Sequence, residues 1–264
     1  MPSHLLQISK KLAHDAGLVA LDMQKKGFKI ENKNGTANFV TDADKACEKL
    51  IVDTIRNNFP DHSVLSEEMG EIKGAGEYKW IVDPIDGTTN FAHGLPIFGI
   101  SIAIVKNGKP IIGVVEIPGM KETFWAMQGR GAHLGNAKIK VSKTSELKNS
   151  LLATGFPYAR AERYKKNIEL FDAFYNVSHG VRRIGAASVD LCYLACGRFD
   201  AYWEFDLKAW DVAAGKIIVE EAGGTVTNMD GSTLDPKRGS LLSTNSILHQ
   251  QMLNELKKRG ADKL

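Results

Sequence analysis

Apolar residues recur along the chain with two different periods, and these periods separate helices from strands. Over residues 5–26 the apolar positions are three or four apart, which predicts an amphipathic helix. The polar segment Glu31–Phe39, which contains Gly and Asn, predicts a mobile loop. Thr41, followed three positions later by Asp44, then predicts the N-terminal cap of a second helix that extends to about Asn58.

Strands dominate the middle of the chain, where short apolar runs separated by Gly and Asn indicate an antiparallel meander. The predicted strands lie at 64–65, 80–82, 98–105, 111–117, 124–127, 133–134, 138–141 and 151–154. The remaining predicted elements are helices at 161–177, 187–196, 210–222 and 247–259 and strands at 201–205, 225–227 and 241–243. Because a strict strand–helix–strand alternation is absent, the pattern predicts an α+β fold with a layered architecture, in one domain over residues 1–264.

Composition changes this picture little. Of the 264 residues, 43% are hydrophobic and 25% are charged, which is typical of a globular protein and excludes a disordered or collagen-like chain. The net charge of +3 is too small to indicate nucleic-acid binding by itself. The longest apolar run, Leu95–Val105, is shorter than the roughly 20 residues that cross a bilayer, so we expect a cytoplasmic protein without membrane attachment. Cys47, Cys192 and Cys196 are then expected to be reduced thiols.

The sharpest chemical signal is the segment Asp83–Asn90, which reads D-P-I-D-G-T-T-N after an apolar strand. The carboxylates of Asp83 and Asp86, with the backbone carbonyl of Ile85 between them, are hard oxygen ligands of the kind that Mg²⁺ prefers. The backbone N–H groups of Gly87–Thr89 can bind a phosphate if they open a turn or helix. Cation ligands beside a phosphate cradle predict metal-assisted phosphoryl transfer, although an ordinary Asp-Gly turn would show the same short motif.

Other acidic residues strengthen this hypothesis. Glu67 and Glu68 precede a long polar connection, Met69–Glu77, that allows them to fold back beside Asp83. The further acidic candidates are Asp44, Asp211 and Glu204. Glu67 and Glu68 have an ordinary explanation as a solvated pair, and Asp44 and Asp211 as helix N-terminal acids. Glu204 lies in an aromatic strand, where a carboxylate without a partner is unusual. If several of them converge, however, their mutual repulsion requires a cation, and the hypothesis of a metal site becomes the stronger one.

The segments D-P-I-D-G-T-T-N-F at 83–91 and W-D-V-A-A-G-K-I-I-V-E-E-A-G-G at 210–224 resemble the two signature segments of the inositol monophosphatase family. The resemblance covers the whole chain and is nearest to the bacterial SuhB-type branch. It includes V-T-D-A-D at 40–44, S-E-E at 66–68, G-F-P-Y at 155–158 and R-R-I-G-A-A-S at 182–188. It implies the layered α/β/α/β/α sandwich of the sugar phosphatases, usually a homodimer.

The resemblance also implies roles for individual residues. The expected ligands of two or three Mg²⁺ ions are Glu67, Asp83, Asp86, Asp211 and the carbonyl of Ile85. Asp44, Thr88 and Glu67 would orient and activate the attacking water, and Lys33 would lie on the mobile loop near the third metal. The expected substrate-binding residues are Asp86, Gly87, Thr88 and Thr89 on the phosphate side and Arg182, Ala186, Ala187, Glu204 and Asp211 on the alcohol side.

The function that follows from the resemblance is Mg²⁺-dependent hydrolysis of a small polyol phosphate monoester such as inositol 1-phosphate, with sensitivity to Li⁺. A sugar bisphosphatase acting on fructose 1,6-bisphosphate is the related alternative. A different class also remains open, because SuhB-type relatives associate with RNA polymerase and transcription factors. Basic residues such as Lys165, Lys166, Arg182 and Arg183 would suit that interface, and the two roles can coexist.

Overall fold

The computed structural model describes residues 2–33, 39–159 and 161–264 of the chain. The α-helices within them are α1 (Pro2–Lys26), α2 (Asp42–Asn58), α3 (Thr88–Ala92), α4 (Glu162–Tyr175), α5 (Ala187–Ala195), α6 (Ala209–Glu221) and α7 (His249–Lys258). The strands are β1 (Ile30–Asn32), β2 (Phe39–Thr41), β3 (Ser63–Ser66), β4 (Gly70–Ile72), β5 (Tyr78–Asp86), β6 (Gly99–Lys106), β7 (Lys109–Ile117), β8 (Glu122–Met127), β9 (Gly131–Leu134), β10 (Ala137–Ile139), β11 (Leu151–Thr154), β12 (Gly180–Arg182), β13 (Ala201–Phe205), β14 (Thr225–Thr227) and β15 (Ser240–Thr244).

The strands form two large sheets and one small ribbon. The larger sheet has eight strands in the order β10-β9-β8-β7-β6-β5-β3-β4, and its pairs are antiparallel except for β3 with β5. The second sheet has five strands in the order β12-β11-β13-β15-β14, and β11 runs parallel to both of its neighbours. The ribbon pairs β1 with β2.

Three hydrophobic clusters hold these sheets between helices. Helices α1 and α2 pack on one face of the eight-stranded sheet. Helices α5 and α6 pack on its other face and against the second sheet. Helices α4 and α7 cover the outer face of that second sheet. The order helix, sheet, helix, sheet, helix is the expected α/β/α/β/α sandwich, and this prediction is confirmed.

The central strands are buried on both faces because helices cover the sheet from both sides. In β5, the side chains of Trp80 and Val82 pack toward α1 and α2, whereas Ile81 packs toward α5 and α6. In β6, Ile102 and Ala103 divide in the same way. A strand buried on two faces has a continuous apolar sequence rather than an alternating one, which is why these strands could be located from sequence.

Several elements differ from the sequence-based predictions. The predicted loop Glu31–Phe39 contains strand residues at both ends, and its positions 34–38 lie outside the described residues. Strand β4 lies inside the predicted polar connection Met69–Glu77, and β12 falls in a segment where no strand was predicted. Strand β5 continues beyond Val82 to Asp86. These segments are short, and their strand structure comes from pairing with other strands rather than from their own periodicity.

The three cysteines are free, and one of them lies outside the predicted helix. Cys47 and Cys192 are buried free thiols, and Cys196 is a partly buried one that follows the end of α5 instead of lying within it. Within the described residues, no helix is both long enough and apolar enough to traverse a lipid bilayer.

Candidate active site

Parallel pairing of β3 with β5 brings the first two acidic segments together. Ser66 pairs with Val82, so Glu67 and Asp83 follow as neighbours at the same edge of the sheet. Between Asp83 and Asp86 the register with β6 shifts, which marks a bulge. Bulges redirect side chains at functional edges of sheets. The motif predicted to carry the chemistry therefore lies at an irregular strand end.

Gly87 makes the turn that follows this strand end. Its φ of 90° lies in the left-handed region, where a side chain would be strained. A Cβ at this position would also lie 3.0 Å from the Cβ of Ala186. The turn leads directly into the short helix α3, whose first residues are Thr88 and Thr89. The expected helical opening of this segment is thus present.

The start of α2 places Asp44 next to Thr88. Thr41 and Asp44 form a capping box, in which the Thr41 N–H donates to Asp44 Oδ2 at 2.8 Å. Thr88 Oγ1 lies 3.2 Å from Asp44 Oδ1 and 3.1 Å from the Ile85 carbonyl oxygen. Asp44 is 1% exposed, and burial raises its pKa. The buried carboxyl group of Asp44 therefore lies within hydrogen-bond distance of the Thr88 hydroxyl at the edge of the site.

Two further helix N-termini hold carboxylates of the site. The N–H and the hydroxyl of Ser188, in the first turn of α5, each donate to Asp86 Oδ2 at 2.6 Å. Asp211, in the first turn of α6, accepts the N–H of Lys208 at 2.6 Å. A helix N-terminus stabilises nearby negative charge, so the fold orients both carboxylates without neutralising them.

Lys33 provides a positive charge at the opposite side of the acidic cluster. Its Nζ donates to Glu67 Oε1 at 2.8 Å and also to Glu68 Oε1. Burial alone would lower the pKa of Lys33, but the hydrogen bonds with both glutamates outweigh it and raise that pKa. Lys33 therefore remains charged and is held against Glu67.

Burial raises the pKa of the central carboxyl groups. The pKa values of Asp83 and Asp211 lie well above the usual range because both groups are desolvated and because neighbouring carboxylates repel them. Burial also raises the pKa of Asp86 and of Glu67, although Ser188 and Lys33 act in the opposite direction. Within residues 2–33, 39–159 and 161–264, no three His, Cys, Asp or Glu side chains are already gathered as metal ligands.

A cavity of about 100 Å³ opens beside these acids. It is lined by Asp86, Gly87, Gly155, Phe156, Pro157, Tyr158, Arg183, Gly185, Ala186, Ala187, Glu204, Phe205, Asp206, Leu207 and Asp211. Glu204 belongs to β13 and accepts a hydrogen bond from the hydroxyl of Tyr202. Burial raises the pKa of Glu204 to about 7. A Cβ on Gly155 would lie 2.0 Å from Glu204 Oε2, so only glycine leaves room for this carboxylate.

The sequence profile described as the inositol monophosphatase family matches residues 1–261. The chain belongs to this family. The chloroplastic phosphatase IMPL1 of Arabidopsis thaliana is 43% identical to it over 99% of this chain and 74% of that protein. The Nus factor SuhB of Haemophilus influenzae is 37% identical over 96% of each chain. The solved inositol monophosphatase of Anabaena (Nostoc) superposes with a TM-score of 0.88 and 40% identity, covering 97% of this chain and 96% of that one.

Membership in the inositol monophosphatase family supports a phosphatase and agrees with the resemblance seen in the sequence. The structure gathers most of the predicted site residues around the end of β5. Asp44, Ile85 and Thr88 are joined by hydrogen bonds, and Lys33 joins Glu67. Asp86, Gly87, Ala186, Ala187, Glu204 and Asp211 line the cavity. Asp83 is buried behind them, and Thr89 lies in the first turn of α3.

Arg182 is placed differently from the other predicted residues. Both arginines are exposed, but Arg183 lines the cavity, whereas Arg182 directs its guanidinium toward the carbonyl of Val181, 3.4 Å away. Sequence reasoning also missed Ser188, Tyr202 and Gly155, which hold or accommodate site carboxylates. Ser188 follows Ala187 directly, but small and hydroxyl residues carry no local signal of a partner that is about a hundred positions away.

Proposed function

We propose that this chain is a Mg²⁺-dependent phosphatase that hydrolyses a small polyol phosphate monoester, such as inositol 1-phosphate, to the alcohol and inorganic phosphate. The observation that carries the proposal is the gathering of four acids around the end of β5: Glu67 and Asp83 follow paired strand residues, and Asp86 and Asp211 line one cavity. Burial raises the pKa of all four groups, and neighbouring carboxylates add to the shift at Glu67, Asp83 and Asp211. Acids that are costly to bury together are characteristic of functional sites. A divalent cation removes that cost.

The donor set suits magnesium. Carboxylate and carbonyl oxygens are the ligands that Mg²⁺ prefers, and the set contains no thiolate or imidazole that would favour zinc. We infer that Glu67, Asp83, Asp86, Asp211 and the Ile85 carbonyl hold two or three Mg²⁺ ions. For this, Lys33 has to release Glu67, to which its ammonium is bound at 2.8 Å. Bound magnesium would neutralise the phosphate dianion and lower the pKa of a coordinated water.

The residues of the chain itself position the reactants. We infer that Thr88 donates its hydroxyl proton to Asp44, so that its oxygen lone pairs accept a hydrogen bond from the attacking water and orient it. Asp44 is the acceptor for the proton that moves through this pair. The N–H groups of Gly87, Thr88 and Thr89 bind the phosphate oxygens, because the first N–H groups of a helix lack partners within the helix.

The alcohol part of the substrate would lie in the adjoining cavity. Its wall combines the small side chains of Ala186 and Ala187 with the carboxylate of Glu204 and the guanidinium of Arg183. Carboxylate oxygens accept hydrogen bonds from vicinal hydroxyl groups, which favours a polyol over a simple alkyl group. We therefore assign to Arg183 the position beside the alcohol that the resemblance implied for Arg182.

A test of the proposal is a substrate panel on the purified protein with Mg²⁺ or with EDTA. We expect phosphate release from inositol 1-phosphate, weaker release from glycerol 2-phosphate and fructose 1,6-bisphosphate, and none with EDTA. Full activity in EDTA would contradict the metal dependence, and no release from any polyol phosphate would contradict the activity. Light scattering on the same sample tests the homodimer that the resemblance implies.

A second function has one observation in its favour, namely the name Nus factor SuhB of the Haemophilus influenzae relative. An association with RNA polymerase and transcription factors in the cytoplasm would use the surface and not the acidic cluster. A pull-down with the Asp86→Asn variant separates the two functions, because this change removes the catalytic charge and leaves the surface intact. The buried carboxylates favour the phosphatase, since binding alone gives no reason to bury them together.

A further inference from the structure

Glu48 is a buried carboxylate that the proposed chemistry does not use. It lies on α2, one helical turn after Asp44, and is only 1% exposed. Residues four positions apart lie on the same side of a helix. Glu48 therefore faces the same region of the molecule as Asp44, one turn deeper along the helix.

Two backbone groups donate to this carboxylate. The N–H of Glu68 lies 2.9 Å from Glu48 Oε1, and the N–H of Met69 lies 3.1 Å from the same atom. Both groups belong to the turn between β3 and β4, the turn that begins with Glu67. Glu48 thus ties the backbone of this turn to helix α2, and the same helix carries Asp44.

The acceptor of these two hydrogen bonds is a carboxylate rather than a neutral group, and this needs an explanation. Burying a carboxylate costs free energy unless hydrogen bonds compensate it. Here the charge also lies near Glu68, whose carboxylate repels it. Hydrogen bonds to an ionised acceptor are roughly twice as strong as neutral ones, so the arrangement fixes the turn more firmly than a neutral side chain would. Firm placement matters where a side chain has to meet a ligand within a fraction of an ångström.

We propose that Glu48 is a positioning residue for the divalent-cation site. It holds the turn that carries Glu67 in a fixed position relative to Asp44, which lies on the same helix as Glu48. The inference rests on the metal role proposed for Glu67. Glu48 itself touches neither substrate nor metal. Loss of its two hydrogen bonds should let the turn shift, so that Glu67 reaches the cation in fewer conformations and the affinity falls.

The chain offers a matched control in Glu221. Its Oε1 accepts the N–H of Gly129 at 2.8 Å, and its Oε2 accepts the N–H of Gly131 at 2.7 Å. Glu221 therefore also ties a turn between two strands to a helix through two backbone hydrogen bonds. That turn joins β8 to β9 and carries none of the residues assigned to the site. Removing Glu221 reproduces the loss of such bonds without touching the Glu67 turn.

The test is isothermal titration of metal-free protein with MgCl₂, combined with thermal unfolding of each variant. We expect Glu48→Ala to weaken Mg²⁺ binding by about 10- to 100-fold, the usual effect of removing a group that orients a metal ligand. Glu48→Gln keeps an acceptor oxygen and should recover most of the affinity. Glu221→Ala should lower the melting temperature but leave the Mg²⁺ affinity at the wild-type value.

The outcomes separate this inference from the proposed function. If the wild-type protein does not bind Mg²⁺, the proposed metal chemistry is wrong and the role of Glu48 falls with it. If the wild-type protein binds Mg²⁺ and Glu48→Ala binds it equally well, only the positioning role is wrong. If Glu48→Ala does not fold, Glu48→Asp decides, because it keeps the charge but withdraws the acceptor by one methylene. Unchanged affinity in that folded variant would also overturn the inference.

Discussion

Acidic residues near the two ends of strand β5 lie in opposite environments. Near its N-terminal end, Glu71 of strand β4 and Glu77, which precedes β5, are exposed and paired with lysines. Lys79 Nζ lies 2.6 Å from Glu71, and Lys106 Nζ lies 2.9 Å from Glu77. The hydrogen bond from Lys79 lowers the pKa of Glu71. These are ordinary surface ion pairs, which contribute little to stability because water screens them and the side chains lose freedom.

At the C-terminal end of the same strand the carboxyl groups are buried beside other acids. Asp83 is 1% exposed and Asp86 is 9% exposed, and burial raises the pKa of both. Their hydrogen bonds come from backbone and hydroxyl groups, which orient a charge without neutralising it. The presence of acidic residues near a strand end therefore does not by itself indicate a functional site. Desolvation beside other carboxylates distinguishes these aspartates from the solvated glutamates.

The largest expected effect comes from Asp86→Asn, which removes a charge from the buried end at nearly constant volume. We expect kcat for inositol 1-phosphate to fall by about 10³-fold or more, corresponding to the loss of several kcal/mol of transition-state stabilisation. Circular dichroism should show an intact fold, because an amide oxygen can still accept the two bonds from Ser188. If more than a tenth of the wild-type rate remained at saturating Mg²⁺, the assignment of Asp86 as a ligand would be wrong.

Thr88→Ala tests the hydroxyl that lies between Asp44 and Ile85. We expect kcat to fall by about 10²-fold with little change in KM, because an orienting contact to the attacking water matters mainly in the transition state. Steady-state kinetics over a wide range of substrate concentrations provide the measurement. An effect confined to KM would instead assign Thr88 to uniform binding of the phosphate.

Li⁺ should inhibit the enzyme several-fold in the millimolar range. A magnesium ion that leaves with the product is held by few protein ligands, and Li⁺ is of similar size but carries half the charge. It would fit such a site after product forms and fail to activate water. Initial rates at several substrate and Li⁺ concentrations should show uncompetitive inhibition, with Na⁺ and K⁺ as controls. Equal effects of Li⁺ and K⁺ would exclude an exchangeable cation near Lys33, Asp44 and Glu67.

The metal-free protein should become less stable as pH rises from about 5 to 8. An acid whose pKa is raised by folding favours the folded state when protonated, so its stabilising effect is present at low pH and lost as pH rises through the folded pKa. For Glu204 this window extends from its ordinary 4.5 to about 7, and the pKa values of Asp83 and Asp211 shift in the same direction. We expect the melting temperature to fall by several degrees, since one kcal/mol shifts it by about 2–4 °C in a chain of this size.

Thermal unfolding in EDTA at several pH values measures this slope. Excess Mg²⁺ should flatten it by binding the ionised carboxylates, and Asp86→Asn should make it shallower in EDTA. A melting temperature that rises with pH in EDTA would contradict the raised pKa values.

The smallest effect is expected at the exposed end of β5. Glu71→Gln removes one partner of the pair with Lys79, and it should leave the melting temperature, the Mg²⁺ affinity and kcat unchanged within experimental error. The three measurements on this variant, made alongside Asp86→Asn, test whether the two ends differ as described. A large loss of activity in Glu71→Gln would remove the distinction between them.

Much of the fold could be predicted because its signals are local. Helix α2 was located by its cap, and the capping box of Thr41 and Asp44 depends on residues only three positions apart. Strands β5 to β7 were recognisable as apolar runs. The proposed ligand motif at the end of β5 could be found because its oxygen donors lie within four consecutive residues, and the family resemblance assigned the same role to Glu67 and Asp211.

The contacts that complete the site have no such local signal. The roles of Ser188, Tyr202 and Glu48 depend on which distant backbone or carboxylate each one meets. The exchange of Arg182 for Arg183 at the cavity is of the same kind. Adjacent residues of an extended chain point to opposite sides. Arg182 pairs with Ala153 in the sheet, and it is the next residue, Arg183, that lines the cavity.

The amino-acid sequence by itself therefore determined the chemistry available to this protein: hard oxygen donors beside a glycine-initiated helix, on a chain long enough to bury them. Only the tertiary structure decided which acids are removed from water and which remain at the surface. Sequence neighbours share a backbone path, but the dielectric environment of a carboxylate depends on every element that packs around it. Asp83 and Glu71 are acids of the same sheet, and their pKa values shift in opposite directions: burial raises the pKa of Asp83, whereas the hydrogen bond with Lys79 lowers that of Glu71.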